Sequence, residues 1–294
     1  MGSDLFALFV LEKLCVKELK SMMNKKQLLE RTRLFVLDMD GTFYLGSQLL
    51  KGSLEFLSEV SRLGKKFIFF TNNSSDSADN YIRKLAKMGC SITKEEIMTS
   101  GDVTAIYLMK NFPEKKVYLL GTRALEQHFQ EYGIRLVKED ADIVVVGFDK
   151  TLDYDKLTKA CTLIRNGAEF ISTHLDINCP TETGFIPDCG SICAAIELST
   201  GKHPHYLGKP FRETVDMILE KTKIPREYIS FVGDRIYTDV KTGVNNGANG
   251  ILVLSGETRL EDIEKSDVKP DAVFEGLYEM AEVLKELQQQ STTL

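Results

Sequence analysis

Short apolar runs alternate along this chain with longer segments whose hydrophobic positions fall on one helical face. The apolar runs predict strands at 33–38, 66–70, 117–120, 142–148, 169–173, 229–233 and 250–254. The amphipathic segments predict helices at 53–63, 77–88, 123–132, 154–165 and 191–199. Regular alternation of strand and helix favours an α/β fold, a doubly wound parallel sheet with helices on both faces.

The alternation falls into two blocks. In the first and last thirds of the chain, apolar strands run directly into polar clusters. The middle third has its own alternation and a loop-rich stretch from Asp176 to Gly190. We therefore predict a discontinuous core domain of residues 31–111 and 205–294, with an inserted α/β domain of residues 112–204. Residues 1–30 are predicted to be an N-terminal extension.

The apolar run from Leu5 to Val16 is interrupted by Glu12 and Lys13. It is shorter than the about 20 residues that a membrane-spanning helix needs, and it lacks the basic start and cleavage site of a signal peptide. An amphipathic helix is the expected state. Because two methionines at 22–23 precede a polar lead-in to the first strand, a further hypothesis is that residues 1–21 are not part of the working protein.

Composition excludes several classes of protein. With 37 basic and 43 acidic residues and a net charge of −6, the chain has no general cationic surface for nucleic acid. Its six cysteines contain no Cys-x-x-Cys pair, which is typical of reduced thiols and predicts a cytoplasmic protein. The four histidines show no zinc-ligand spacing with them. The expected partner is a small molecule, with no membrane partner.

Two aspartates end the first strand. Side chains two apart on a strand point the same way, so Asp38 and Asp40 are expected to face one spot, and Gly41 lets the backbone turn there. Paired carboxylates favour a cation and offer a nucleophile beside a proton carrier. The alternative is that this segment is only a turn, because Asp and Gly populate turns for local reasons.

Three further polar clusters follow apolar segments: Thr71 with Asn72, Lys209, and Asp234 with Asp239. Ligands of an open parallel sheet gather at the carboxyl ends of its strands. Two like charges about 5 Å apart cost on the order of 3 kcal/mol at an effective dielectric of 20, so several carboxylates in one cleft need a cation. A site built from oxygen ligands suits Mg²⁺. Lys209 would then balance the charge of a phosphate.

The ordered set of motifs resembles the four motifs of the haloacid dehalogenase superfamily. The motifs are Asp38-x-Asp40-Gly41-Thr42, Thr71-Asn72-Asn73, Gly208-Lys209-Pro210 and Gly233-Asp234-Arg235-x-x-Thr238-Asp239. The nearest branch is that of the NagD-like and p-nitrophenyl phosphatases, which carry a large α/β cap between the second and third motifs. The resemblance covers about residues 31–280 and implies a Rossmann-like core with a cap.

The resemblance implies a role for each motif residue. Asp38 would attack phosphorus and form an aspartyl-phosphate. Asp40 would protonate the leaving oxygen and then deprotonate the hydrolytic water. Thr71 and Lys209 would position the phosphoryl group. Magnesium would bind Asp38, the backbone carbonyl of Asp40, and Asp234.

Two further groups of residues are implied to surround this centre. Supporting roles fall to Gly41, Asn72, Asn73, Arg235 and Asp239. Specificity roles in the cap fall to His174, Asp176, Asp188 and Gly190. The chain departs from the family pattern at three positions, where His174 replaces Asn, Asp188 replaces Gly and Tyr237 replaces an acidic residue. The first two departures bear on substrate identity.

The expected function is a magnesium-dependent phosphatase acting on small phosphorylated metabolites such as sugar phosphates, with p-nitrophenyl phosphate as an artificial substrate. One alternative is phosphoryl transfer to another acceptor, as in a mutase. A second is a phosphorylation-controlled binding module of the receiver type. By analogy with the family, a homodimer is possible.

Overall fold

The computed structural model describes residues 23–181 and 184–291. The predicted helix from Leu5 to Val16 and the hypothesis about residues 1–21 lie outside these ranges. Residues 23–31 form helix α1.

The remaining elements are as follows. The strands are β1 (Leu34–Leu37), β2 (Tyr44–Leu45), β3 (Gln48–Leu49), β4 (Lys66–Thr71), β5 (Ile97–Thr99), β6 (Val117–Leu120), β7 (Ile143–Val146), β8 (Glu169–Ser172), β9 (Asn178–Thr181), β10 (Gly184–Pro187), β11 (His205–Tyr206), β12 (Ile229–Gly233), β13 (Asn249–Val253) and β14 (Ala272–Phe274). The helices are α2 (Ser53–Arg62), α3 (Ala78–Lys87), α4 (Ser100–Asn111), α5 (Arg123–Glu131), α6 (Tyr154–Arg165), α7 (Cys189–Thr200), α8 (Arg212–Thr222), α9 (Lys241–Asn245), α10 (Leu260–Lys265) and α11 (Leu277–Ser291).

The first sheet has six parallel strands in the order β14-β13-β12-β1-β4-β5. Strand β1 lies between β12 and β4, with Leu37 in register with Val232 on one side and Phe69 on the other. All four residues of β1 are buried, as expected for a parallel strand covered on both faces. The carboxyl ends of these three strands therefore meet at one edge of the sheet.

Alternate residues of β1 enter two different cores. Phe35 and Leu37 pack on the face covered by α2, α3 and α11. Leu34 and Val36 pack on the face covered by α4 and α8. Because helices cover both faces, the predicted doubly wound α/β sheet is confirmed.

The second sheet has four parallel strands in the order β11-β8-β7-β6. Helices α6 and α7 cover one face, and the other face joins the core that α4 and α5 share. Strand β11 pairs with β8 through His205 and Ile171, so the second sheet extends to residue 206, just past the predicted boundary at 204. We call residues 117–206, with the antiparallel hairpin β9–β10, the cap.

Within the described residues, no helix is both long enough and apolar enough to cross a bilayer.

Candidate active site

The first sheet and the cap meet at a cavity beyond the carboxyl ends of β1, β4 and β12. The core contributes Asp38, Asp40, Thr71, Asn72, Asn73, Lys209, Arg235, Thr238 and Asp239 to its lining. The cap contributes Asp176, Asn178, Cys179, Pro180 and Asp188. Residues distant in sequence meet here because parallel strands deliver their carboxyl ends to the same edge.

Lys209 is the positive centre of the site. Its Nζ lies 2.5 Å from Asp38 Oδ1 and 2.6 Å from Asp239 Oδ1, and only 4 % of its side chain is exposed. Burial alone would lower the pKa of Lys209, but the charges of Asp239 and Asp38 outweigh it and hold the pKa above its ordinary value. Lys209 is therefore charged and bridges the first and fourth motifs.

Three carboxylates form a cluster around it. One oxygen from each of Asp38, Asp234 and Asp239 lies within 4.8 Å of the others. Burial and then the charge of Asp239 raise the pKa of Asp234 to about 6, and burial raises the pKa of Asp38 well above its usual range, more than Lys209 lowers it. Because the three negative charges repel one another and all the potential metal ligands are oxygens, the cluster can hold a hard divalent metal ion.

Asp239 holds this cluster in place. Its Oδ1 accepts a hydrogen bond from Lys209, and its Oδ2 accepts one from the backbone N–H of Arg235 at 3.2 Å. Asp234 in turn accepts from the backbone N–H of Glu257 at 2.7 Å and from the hydroxyl of Thr42 at 3.3 Å. Both carboxylates are thus oriented by fixed donors.

Gly41 allows the first and fourth motifs to approach. Its φ is +82°, and a Cβ at this position would lie 2.5 Å from Asp234 Oδ2. Any other residue would be strained in this conformation and would displace the carboxylate. The supporting role predicted for Gly41 therefore has a steric basis.

Asn72 ties the third motif to the cap. Its Oδ1 accepts from the backbone N–H of Lys209 at 2.8 Å, and its Nδ2 donates to the Lys209 carbonyl at 3.0 Å. The same Nδ2 lies 3.2 Å and 3.3 Å from the two carboxylate oxygens of Asp176 in the cap. Asn73 shapes the adjacent loop, since its Oδ1 accepts from Ser75 N–H at 2.9 Å and its N–H donates to Thr71 at 3.1 Å.

Arg235 forms a second link between core and cap. Its Nε donates to Glu257 at 2.9 Å, and its Nη1 lies 3.9 Å from Asp176 Oδ2. Tyr237, which departs from the family pattern, donates its hydroxyl to the other oxygen of Glu257 at 2.9 Å. The tyrosine thus helps to fix the carboxylate that holds Arg235.

The two cap residues that depart from the family pattern, His174 and Asp188, contact each other. His174 Nε2 lies 2.9 Å from Asp188 Oδ1, and its Nδ1 lies 2.9 Å from the hydroxyl of Thr173. Burial lowers the pKa of His174, but Cys189 and the bonded Asp188 outweigh it and raise the pKa to about 9. The imidazolium and Asp188, which also caps α7 through the Cys189 N–H at 2.6 Å, therefore form one buried ion pair.

The predicted cap residues divide into two groups. Asp176 and Asp188 reach the cavity, whereas His174 and Gly190 do not line it. His174 is fully buried. Gly190 allows the cap loop to pack on α7, because a Cβ there would lie 2.2 Å from the Leu175 carbonyl oxygen. His174 and Gly190 therefore support the cavity wall without lining the cavity.

Two neighbours of the motif residues were not predicted from the sequence. Tyr44 donates its hydroxyl to Asp40 Oδ2 at 3.2 Å; its position four residues after Asp40 was the only sequence signal. Glu257 holds Arg235 from the loop after β13, and nothing in the sequence near Glu257 pointed to that contact.

Comparison with known proteins identifies the superfamily. The family described as haloacid dehalogenase-like hydrolase matches residues 35–135, and the one described as HAD-hydrolase-like matches residues 206–280. The acid sugar phosphatase of Staphylococcus saprophyticus is 35 % identical over 255 residues, which cover 86 % of this chain and 97 % of that protein. The chain belongs to the haloacid dehalogenase-like hydrolases.

Solved structures place this hydrolase within the superfamily. The 4-nitrophenylphosphatase of Thermotoga maritima has a TM-score of 0.84 at 51 % identity, covering 87 % of this chain and 98 % of that one. NagD of Escherichia coli has a TM-score of 0.79 at 30 % identity, covering 84 % and 98 %. The predicted branch is confirmed, and this haloacid dehalogenase-like hydrolase is a phosphatase of the NagD-like and p-nitrophenyl phosphatase group.

Proposed function

We propose that this phosphatase hydrolyses small phosphomonoesters, with sugar phosphates as the physiological class and p-nitrophenyl phosphate as an artificial substrate. The observation that carries the proposal is the contact of Lys209 with both Asp38 and Asp239 beside Asp234, inside a cavity that the cap covers. The names of the relatives, acid sugar phosphatase and 4-nitrophenylphosphatase, support this choice of substrates.

In the proposed reaction, a carboxylate oxygen of Asp38 forms a bond to phosphorus while the bond from phosphorus to the ester oxygen breaks. Asp40 gives its proton to that departing oxygen, and the alcohol leaves. Asp40 then takes a proton from water, whose oxygen attacks the phosphorus of the aspartyl-phosphate. Inorganic phosphate and the carboxylate of Asp38 result. Lys209 and the hydroxyl of Thr71 stabilise the charge of the transferring group.

The residues present fit a magnesium ion. Among the described residues, five aspartates and two basic side chains line the cavity; the aspartates are Asp38, Asp40, Asp176, Asp188 and Asp239, and the basic residues are Lys209 and Arg235. A dianionic phosphate would bind poorly in such surroundings without a cation. Mg²⁺ held by Asp38, Asp234 and the backbone carbonyl of Asp40 would supply that positive charge to the phosphoryl oxygens.

The cap acids restrict the leaving group. Asp176 and Asp188 line the cavity from the cap, whereas Lys209 and Thr71, which would hold the phosphoryl group, line it from the core. Carboxylates accept hydrogen bonds from sugar hydroxyls but repel a second anion. We infer a preference for neutral, hydroxyl-bearing leaving groups, which also disfavours the mutase alternative, since a mutase must hold two phosphates.

The free thiols of the five described cysteines support a cytoplasmic enzyme. A small phosphorylated metabolite is the proposed partner, with no nucleic acid or membrane partner. A homodimer is proposed by analogy with the family, and sedimentation of the purified protein tests it.

The test of the proposed function is phosphate release from a panel of phosphorylated metabolites with Mg²⁺. Activity is expected on sugar phosphates and p-nitrophenyl phosphate, and EDTA should abolish it. Asp38→Asn should lower kcat by at least about a hundredfold, because no neighbouring group can take over the attack on phosphorus. A variant that keeps more than about a hundredth of the wild-type rate would rule out Asp38 as the nucleophile.

A further inference from the structure

Tyr44 forms a hydrogen bond with the side chain of Asp40, the proposed proton donor. The hydroxyl of Tyr44 donates to Asp40 Oδ2 at 3.2 Å. Among the hydrogen bonds of the described residues, this is the only one made by the Asp40 side chain. Asp38, by contrast, is held by Lys209. A proton carrier with a single hydrogen bond from the described residues depends on that bond to keep its carboxyl group directed at the ester oxygen.

The tyrosine itself is rigidly held. Its ring is fully buried in the core beneath the sheet. Its backbone N–H donates to the Met39 carbonyl at 3.1 Å, and its own carbonyl accepts from the Gly41 N–H at 2.9 Å. The ammonium group of Lys84 on α3 lies 3.9 Å from the ring centroid. Tyr44 therefore has a fixed position from which its hydroxyl can orient Asp40.

We propose that Tyr44 is a positioning residue that directs the carboxyl group of Asp40 toward the leaving oxygen of the substrate. This inference rests on the proposed function, since it requires Asp40 to be the proton donor. Proton donation matters most when the leaving group is a poor one, such as an alcohol, and matters little for p-nitrophenolate, which leaves readily as an anion. Tyr44 should therefore determine activity on sugar and other alkyl phosphates selectively.

The test is the variant Tyr44→Phe, measured with β-glycerophosphate, phenyl phosphate and p-nitrophenyl phosphate. The substitution keeps the buried ring and its contact with Lys84 and removes only the hydroxyl. We expect kcat/KM to fall about 10- to 100-fold for β-glycerophosphate, less for phenyl phosphate, and less than about threefold for p-nitrophenyl phosphate. The parameter kcat/KM is used because it covers only the steps up to alcohol release.

Two further variants sharpen the result. Tyr132→Phe removes a matched hydroxyl, which donates to the carboxylate of Asp102 on α4 at 3.0 Å from the position directly after α5. This variant should leave the substrate ratios unchanged. Asp40→Asn should show the same leaving-group pattern more strongly. In the Asp40→Asn background, Tyr44→Phe should have no further effect on β-glycerophosphate.

The ratio of kcat/KM between substrates does not depend on the fraction of folded enzyme, so partial misfolding cannot imitate the expected result. A Tyr44→Phe enzyme that loses activity equally on all three substrates, or on none, would overturn the inference. Wild-type protein inactive on every phosphomonoester would instead refute the proposed function.

Discussion

The replacement Asp234→Asn relieves charge crowding with almost no change of shape. The pKa of Asp234 is raised from 3.8 to about 6 by burial and the charge of Asp239. One pKa unit corresponds to about 1.4 kcal/mol, so keeping Asp234 ionised at neutral pH costs the folded protein about 3 kcal/mol. The asparagine oxygen can still accept the hydrogen bond from Glu257. The metal-free variant is therefore expected to be about 1–3 kcal/mol more stable than the wild type at pH 8.

The sign of the pH dependence follows from the raised pKa. The folded protein binds the Asp234 proton more tightly than the unfolded chain does, so this group contributes stability below about pH 4 and loses that contribution as pH rises through about 6. The variant has no such group. The difference in free energy of unfolding between the variant and the wild type should therefore rise from near zero at about pH 4 to its maximum above about pH 7.

The measurement is urea denaturation at several pH values in EDTA and again in Mg²⁺. Magnesium should stabilise the wild type more than the variant, because Asp234 is a proposed ligand. The control is Asp102→Asn. Burial raises the pKa of Asp102, but the bonded His128 outweighs burial and lowers the pKa. This variant should therefore be less stable than the wild type at pH 8. An Asp234→Asn protein less stable than wild type in EDTA at pH 8, with an unchanged pH slope, would refute the reasoning.

Two further predictions concern the cap. Asp176→Asn should raise kcat/KM about tenfold for a sugar phosphate that carries a carboxylate, relative to its neutral counterpart, because a repulsive charge is removed; unchanged ratios between the paired substrates would contradict this. The second prediction concerns the His174 and Asp188 ion pair. The free energies of unfolding of His174→Asn, Asp188→Gly and the double variant form a double-mutant cycle, which should give a coupling energy of about 1–3 kcal/mol, because each single change leaves a buried charge unpaired. Simple additivity in that cycle would show that the two residues act independently.

Several features could be predicted from the sequence because they depend on local patterns. Strands such as β1 and β12 are short apolar runs, and α2 and α3 end before glycines at 64 and 89. The strand-end carboxylates of Asp38 and Asp234 followed from the same patterns, because a parallel sheet sends its strand ends to one edge. Strands β5 and β14, only three residues each, were not predicted, because so short a run has no recognisable period.

The sequence by itself determined the alternating α/β order, the family motifs and the presence of an inserted unit. The tertiary structure alone decided which side chains meet: Asn72 with Asp176, Glu257 with Arg235, and His174 with Asp188. The physical reason is that hydrophobic period and turn chemistry act over a few neighbouring residues, whereas these contacts join segments from 14 to 104 residues apart. The packing of the cap on the first sheet brings Asn72 to Asp176, and the other two pairs meet through loop packing within the core and within the cap.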